Sequence, residues 1–342
     1  MALCAAGLAA SPASQGVRWR DVLKQPDAWY SGVEAQRIAG AVRAWQEPSG
    51  GWPKNVDMTV PAPARAATER DEATIDNQAT FTQIRFLGRV YRATQDAADR
   101  AAALEGIDYL LGSQYANGGW PQFFPLRTDY SRHITFNDGA MIGVMTLLDE
   151  IAGGGTGWTF VNEPRRAKAR DAVRRGVNVI LRTQVTVNGT LTAWCAQHDE
   201  VTLEPRGARA YEHVSLSGDE SVGIAGFLMR RPRGTATDQA IEAAVAWFAQ
   251  VQLQGWRLER VSAPALPGGV DRVLVRDEHA LPLWARFYEI GTNRPIYSGR
   301  DGIIRYTYAE IEHERRMGYE WVGDWPRALL ERDYPRWRAG RR

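Results

Sequence analysis

Apolar residues recur along this chain at the three-to-four-residue spacing of helices, in short segments separated by glycine-rich loops. Residues 37–45, 106–113, 176–183 and 243–251 each read as an amphipathic helix followed by a glutamine: Gln46, Gln114, Gln184 and Gln252, spaced 68, 70 and 68 residues apart. The first two glutamines open Gln46-Glu-Pro-Ser-Gly-Gly-Trp52-Pro53 and Gln114-Tyr-Ala-Asn-Gly-Gly-Trp120-Pro121. The third is followed by Asn188-Gly189, the fourth by Gly255-Trp256. A period this regular signals a repeated supersecondary unit. The second helix of each unit is predicted over 80–91, 141–151 and 222–229, behind the polar starts Thr74-Ile-Asp76-Asn77, Thr135-Phe-Asn137-Asp138 and Ser217-Gly-Asp219-Glu220. Strand signals are few, with short hairpins at most over 185–192 and 268–275. The expectation is an all-α, partial (α/α) toroid of repeated helix pairs with long irregular loops, forming one domain from residue 16 onward.

The ends and the composition narrow the field. Residues 1–15 hold a short apolar run, Ala2 to Ala10, then Ser-Pro-Ala-Ser. They read as the rear of a signal peptide with a cut near Ala13, or as a disordered alanine-rich start. Cys4 lies in that stretch, and Cys195 is expected as a buried small apolar residue, so no disulfide is predicted. Basic and acidic residues nearly balance at 42 against 40, which argues against a nucleic-acid partner. No apolar run reaches the roughly 20 residues of a membrane-spanning helix. Only Lys24, Lys54 and Lys168 are lysines; the other basic residues are arginine, so a single arginine is weak evidence and Lys54, beside Trp52-Pro53, stands out.

If the second helices start at one end of a ring, Asp76, Asn77, Asn137, Asp138, Asp219 and Glu220 crowd one mouth. Each could simply cap its helix. Gathered together, these oxygens suit a hard cation such as calcium better than zinc, and the five histidines are scattered. Polar and aromatic segments at 192–212 and 283–302 add arginines that could grip carboxylates in a bidentate fork or form structural ion pairs. Three readings compete. The Gln-Trp repeats resemble those of triterpene cyclases, but the acidic Asp-x-Asp-Asp run those enzymes need is missing. A glycoside hydrolase would use Asp76 and Asp138 as its carboxylate pair. A glycan-binding module would need the tryptophans but not clustered acids and arginines, so an enzyme acting on an acidic glycan is favoured.

Several longer motifs carry a family resemblance. They are Gly-Gly-Trp52-Pro-Lys54-Asn, Thr-Ile-Asp76-Asn77, Gln114-Tyr-Ala-Asn-Gly-Gly-Trp120-Pro-Gln-Phe, His133-Ile-Thr-Phe-Asn137-Asp138, Thr-Ala-Trp-Cys-Ala-Gln-His-Asp-Glu, Ala-Arg209-Ala-Tyr-Glu and Gly-Thr-Asn-Arg294-Pro-Ile-Tyr-Ser-Gly-Arg300-Asp-Gly. Over residues 29–337 the chain resembles the pectate lyases of polysaccharide lyase family 10. Gly139 stands where the family more often has asparagine, and His213-Val214 where it has Leu-Pro. The resemblance implies a partial (α/α) toroid that cleaves polygalacturonate by anti β-elimination, leaving a 4,5-unsaturated end. It implies calcium held by Asp76 and Asp138, with Asn77 and Asn137 in support, and Arg209 as the base for the C5 proton. An arginine base requires nearby cations to depress a pKa that normally lies above 12. Arg286 and Arg300, with Lys54 and Arg294, would grip substrate carboxylates, and Trp52 and Trp120 are candidate sugar platforms, although as elements of the repeat their structural reading is the stronger. The enzyme is expected to be a secreted or periplasmic monomer.

Overall fold

The computed structural model describes residues 16–64 and 69–340; the expected signal remnant at 1–15 lies outside the described residues. Seven helices carry the architecture: α1 (Val33–Ala44), α2 (Phe81–Thr94), α3 (Ala97–Gly112), α4 (Ala140–Gly153), α5 (Glu163–Thr183), α6 (Glu220–Met229) and α7 (Thr235–Gln250). Each predicted helix is present, and α3, α5 and α7 start about two turns or more before the apolar pattern does. The early turns of α5, Glu-Pro-Arg-Arg-Ala-Lys-Ala-Arg, carry no apolar stripe. They are helical because Asn162 Oδ1 accepts from Arg165 N at 3.1 Å and Pro164 suits the first turn. Asp96 caps α3 in the same way.

The helices stand in two rows. α2, α4 and α6 touch in turn, α1, α3, α5 and α7 form the second row, and α2–α3, α4–α5 and α6–α7 pack as pairs. Ile84, Leu87, Val144, Leu148, Ile224 and Leu228 of the first row are fully buried, each worth about 1.5–3 kcal/mol of transfer free energy.

The repeated glutamine and tryptophan explain the period. Gln46 Nε2 donates to Gly50 O in its own loop and to Ala102 O in α3. Gln114 repeats this with Gly118 O and Ala172 O of α5, and Gln184 with Thr192 O and Ala240 O of α7. Each glutamine therefore ties one second-row helix to the next. The tryptophans close the open end of the helix before them: Trp52 Nε1 donates to Val42 O, Trp120 to Leu110 O, Trp194 to Ile180 O and Trp284 to Phe248 O, at 2.7–2.8 Å. The glycine before the motif's second glycine is obligatory, since Gly118 has φ +104° and a Cβ there would meet Arg175 O at 2.3 Å. Trp52 and Trp120 are each 0% exposed, so they are core elements and cannot serve as sugar platforms.

After α7 the helical repeat stops. The 268–275 segment is one strand of a longer hairpin, Val270–Arg276 paired with Trp256–Ser262, while the short 186–191 hairpin forms as expected. Two-residue ladders follow. Trp284–Ala285 pairs with Val322–Gly323, and Phe287–Tyr288 pairs with Leu216–Ser217 at the start of α6. A second apolar cluster, including Tyr211, Phe287, Tyr297, Tyr308 and Trp321, underlies these loops. Cys195 is buried, as expected. Among the described residues, no helix is long and apolar enough to cross a membrane.

Candidate active site at the mouth of the inner helices

The polar starts of α2, α4 and α6 come together. Asn77, Gln78, Asp138, Gly139, Asp219, Glu220 and Gly223 line a cleft of about 480 Å³. Asn77 and Asp138 occupy equivalent places in their units and share the left-handed conformation, at φ +48° and +50°. The residues after them, Gln78 and Gly139, are also left-handed, at +65° and +71°, so the glycine at 139 meets a backbone demand. Thr80 holds the first turn in place: its hydroxyl accepts from Trp52 N and donates to Thr74 O. Strained backbone of this kind persists where the surroundings over-determine it, and it collects at functional sites. No side chain makes a capping hydrogen bond to α2 or α4, and Asp219 does not cap α6. Capping therefore does not account for the acids.

Their partners lie across the cleft. Asp76, buried, accepts from Gln122 Nε2 at 2.5 Å and is ion-paired to Lys54. Arg286 is 5% exposed and bonds Asp138 at 2.9 Å, Asp219 at 3.3 Å and Glu220. Its backbone is pinned between the ladders, accepting from Gly218 N and donating to Trp321 O. Burial, with Glu220 adding to it against the pull of Arg286, raises the Asp138 pKa. Burial and then Glu220 push Asp219 up to about 7. One buried guanidinium thus faces three carboxylates. Asn137 Oδ1 is buried there without a hydrogen-bond partner, while its amide donates to Asp138. Clustered carboxylate and amide oxygens, one of them orphaned, form a donor set that fits a hard cation. A second group, His133, Asp199 and Glu200, brings its donor atoms within 4.8 Å of one another. Its carboxylates are already paired with Arg132 and Arg206, and Glu200 also with His133.

Arg209 lies on a loop beside this cleft. Its guanidinium forms a bidentate pair with buried Glu212, through Nε at 2.7 Å and through Nη2. It sits over the rings of Tyr211 and Tyr319, at 4.9 and 5.7 Å. Arg286 lies over the same Tyr319 ring at 5.0 Å, and Tyr319 Oη donates to Glu212 at 2.8 Å.

Residues 46–330 match the family model described as pectic acid lyase. The chain belongs to the pectic acid lyase family. A family 10 polysaccharide lyase from Cellvibrio cellulosa has a similar structure, at 35% identity and a TM-score of 0.80, with 93% of this chain and 94% of that one covered. An aspartate-to-alanine mutant of a family 10 polysaccharide lyase from that organism, in complex with trigalacturonic acid, matches at 34% identity and a TM-score of 0.79, covering 94% and 99%. No protein of curated function matches the sequence. The molecule is a polysaccharide lyase.

The lyase brings some expected site residues together and holds others apart. Asp76, Asn77, Asn137 and Asp138 meet at the mouth, with Lys54 bound to Asp76 and over the Phe123 ring at 5.4 Å. Arg286, expected to grip substrate carboxylates, is here a buried counter-ion of the acids. Arg300 is paired with Glu314 at 3.0 Å on the surface, and Arg294 stacks on Tyr306 at 3.5 Å, neither joined to the mouth by a hydrogen bond. Arg209 also departs from expectation. Burial works against its charge, but Glu212 outweighs burial and holds the guanidinium proton more tightly than usual. Sequence reasoning assigned no role to Glu212, Gln122 or Tyr319. Glu212 stood in the quoted Ala-Arg-Ala-Tyr-Glu motif, three residues from Arg209, which was its one available signal.

Proposed function

We propose that this lyase cleaves polygalacturonate by calcium-assisted anti β-elimination, releasing 4,5-unsaturated oligogalacturonides. The observation that carries this reading is the convergence of Asp138, Asp219 and Glu220 at one mouth, with Asp76 close enough for its charge to act on Asp138, the orphaned Asn137 oxygen beside it and Arg209 joined to them through Tyr319. The trigalacturonic acid complex of the relative supports an acidic galacturonan as substrate. Asp76 and Asp138, with Asn77, would hold the calcium ion, whose contribution is to neutralise the uronate carboxylate and so make the adjacent C5 proton removable. Arg209, once its guanidinium has released a proton to solvent at alkaline pH, takes the C5 proton from the side of its loop. Lys54, and Arg300 on its surface turn, offer cations to carboxylates elsewhere along the polymer. The electron pair left at C5 forms the C4–C5 double bond as the C4–O bond breaks, and water protonates the departing oxygen. The two helix rows support reading the fold as a partial (α/α) toroid, a single catalytic domain over residues 16–342. We assign it to the secreted or periplasmic space as a monomer.

Elimination and hydrolysis leave different products. With polygalacturonate at alkaline pH, the ultraviolet absorbance of the unsaturated uronate should rise in step with new reducing ends. Reducing ends without that absorbance would make Asp76 and Asp138 a hydrolase pair and overturn the proposal.

A further inference from the structure

Glu212 is 4% exposed, yet it is paired with the exposed Arg209. Its carboxylate accepts from Arg209 Nε, from Arg209 Nη2, from the Arg209 backbone N–H at 3.2 Å and from Tyr319 Oη at 2.8 Å. The loop is closed in both directions, with Glu212 N donating to Arg209 O at 2.7 Å and Ala208 N donating to Glu212 O at 3.0 Å. A surface ion pair needs none of this. Such saturation of one buried carboxylate fixes both the direction of the guanidinium and its proton.

We propose that Glu212 and Tyr319 are positioning residues that set the orientation and protonation of Arg209 and mechanically join it to the calcium mouth through Arg286. The inference rests on Arg209 being the proton acceptor. Tyr319 is the shared element. Burial keeps its phenol protonated well into the alkaline range, so it remains a donor to Glu212. Its ring seats Arg209 and Arg286 together, and Arg286 in turn holds Asp138, Asp219 and Glu220. A shift of Arg286 as the acids rearrange around a cation is thereby felt at Arg209. The groups that face Arg209 are Glu212, Tyr211, Tyr319 and, through space, Tyr130. Arg315 lies over the Tyr211 ring at 4.9 Å. Among these, Glu212 is the group that opposes proton loss from Arg209 most directly.

The test is steady-state kinetics on polygalacturonate across pH for Glu212→Gln, Glu212→Asp and Tyr319→Phe, with thermal unfolding of each. Glu212→Gln keeps the shape and removes the charge. It should lower kcat by about tenfold or more with KM within about threefold, and move the rising limb of kcat/KM to lower pH. Glu212→Asp keeps the charge and should leave the limb in place while losing kcat. Tyr319→Phe keeps the ring and should lose kcat severalfold. A folded Glu212→Gln protein with unchanged kcat and limb would overturn the proposal, as would a kcat loss that only tracks melting temperature with the limb unmoved. If Glu212→Gln does not fold, wild-type kcat in both other variants overturns it. Near-normal turnover by Arg209→Ala would instead sink the base reading itself. An inactive Arg209→Ala beside an unchanged Glu212→Gln would sink the clamp alone.

Discussion

The first three helix units and the ninety residues after α7 solve different problems with related parts. In the first three units a glutamine ties each second-row helix to the next, and a tryptophan closes the helix behind it. After α7 no further second-row helix follows among the described residues, and Gln252 accepts from Gln254 in the exposed loop. The fourth tryptophan persists, but Trp284 reaches Phe248 O across 36 residues, with the Trp256–Arg276 hairpin in between. The units with strict ties supply Asp76, Asn137 and Asp138 at rigid helix starts. The looser part supplies Arg286 on paired ladders and Tyr319 beneath Arg209. A repeat places like charges together, and the arginine that faces three of them, Arg286, comes from beyond the repeat.

The predictions sharpen this division. The largest effect belongs to Arg209: replacement by alanine should abolish formation of unsaturated product, a loss of at least about 10²–10⁴-fold if it is the base, with an unchanged circular dichroism spectrum. In the strict units, Trp120→Ala should cost about 3–5 kcal/mol in urea unfolding, because the ring is fully buried and Leu110 O loses its donor.

His198 tests the interior of the first three units. It is fully buried against Phe136, its Nδ1 lies 3.0 Å from Leu203 O, and burial lowers its pKa to about 4 from 6.5. The unfolded chain therefore takes the proton first. The contribution of His198 is complete above pH 6.5 and is lost as pH falls toward 4, a change on the order of 3 kcal/mol. Unfolding curves across that window should show the decline, and His198→Gln should flatten it. The smallest effect is the most pointed comparison. Gln114→Ala should cost about 1–2 kcal/mol by freeing two carbonyls, and Gln252→Ala should stay within about 0.5 kcal/mol. Equal costs would remove the distinction between tied and untied units.

Much of this was legible in the chain. The helices were readable because their apolar residues keep one face, and the acids could be placed together because each follows the same unit landmark. The polar first half of α5 was invisible to periodicity and depends on Asn162. Trp284 was not recognised as the fourth repeat tryptophan because the hairpin displaces it. The burial of Arg286 was illegible, since it follows from two ladders that join residues 285 and 287 to partners at 322 and 217. The Tyr319–Glu212 bond spans 107 residues and carries no local pattern. Trp52 and Trp120, candidate platforms whose place in the repeat already favoured a structural role, are buried and serve the fold.

The central claim is that the mouth acids hold the cation that elimination requires. The direct measurement is unsaturated-product formation against calcium concentration, before and after chelator, for the wild-type enzyme and Asp138→Ala. The account predicts that chelator stops the wild-type reaction, that calcium restores it, and that Asp138→Ala is inactive or needs far more calcium while remaining folded. A wild-type reaction indifferent to chelator, or an Asp138→Ala enzyme with the wild-type calcium response, would contradict it.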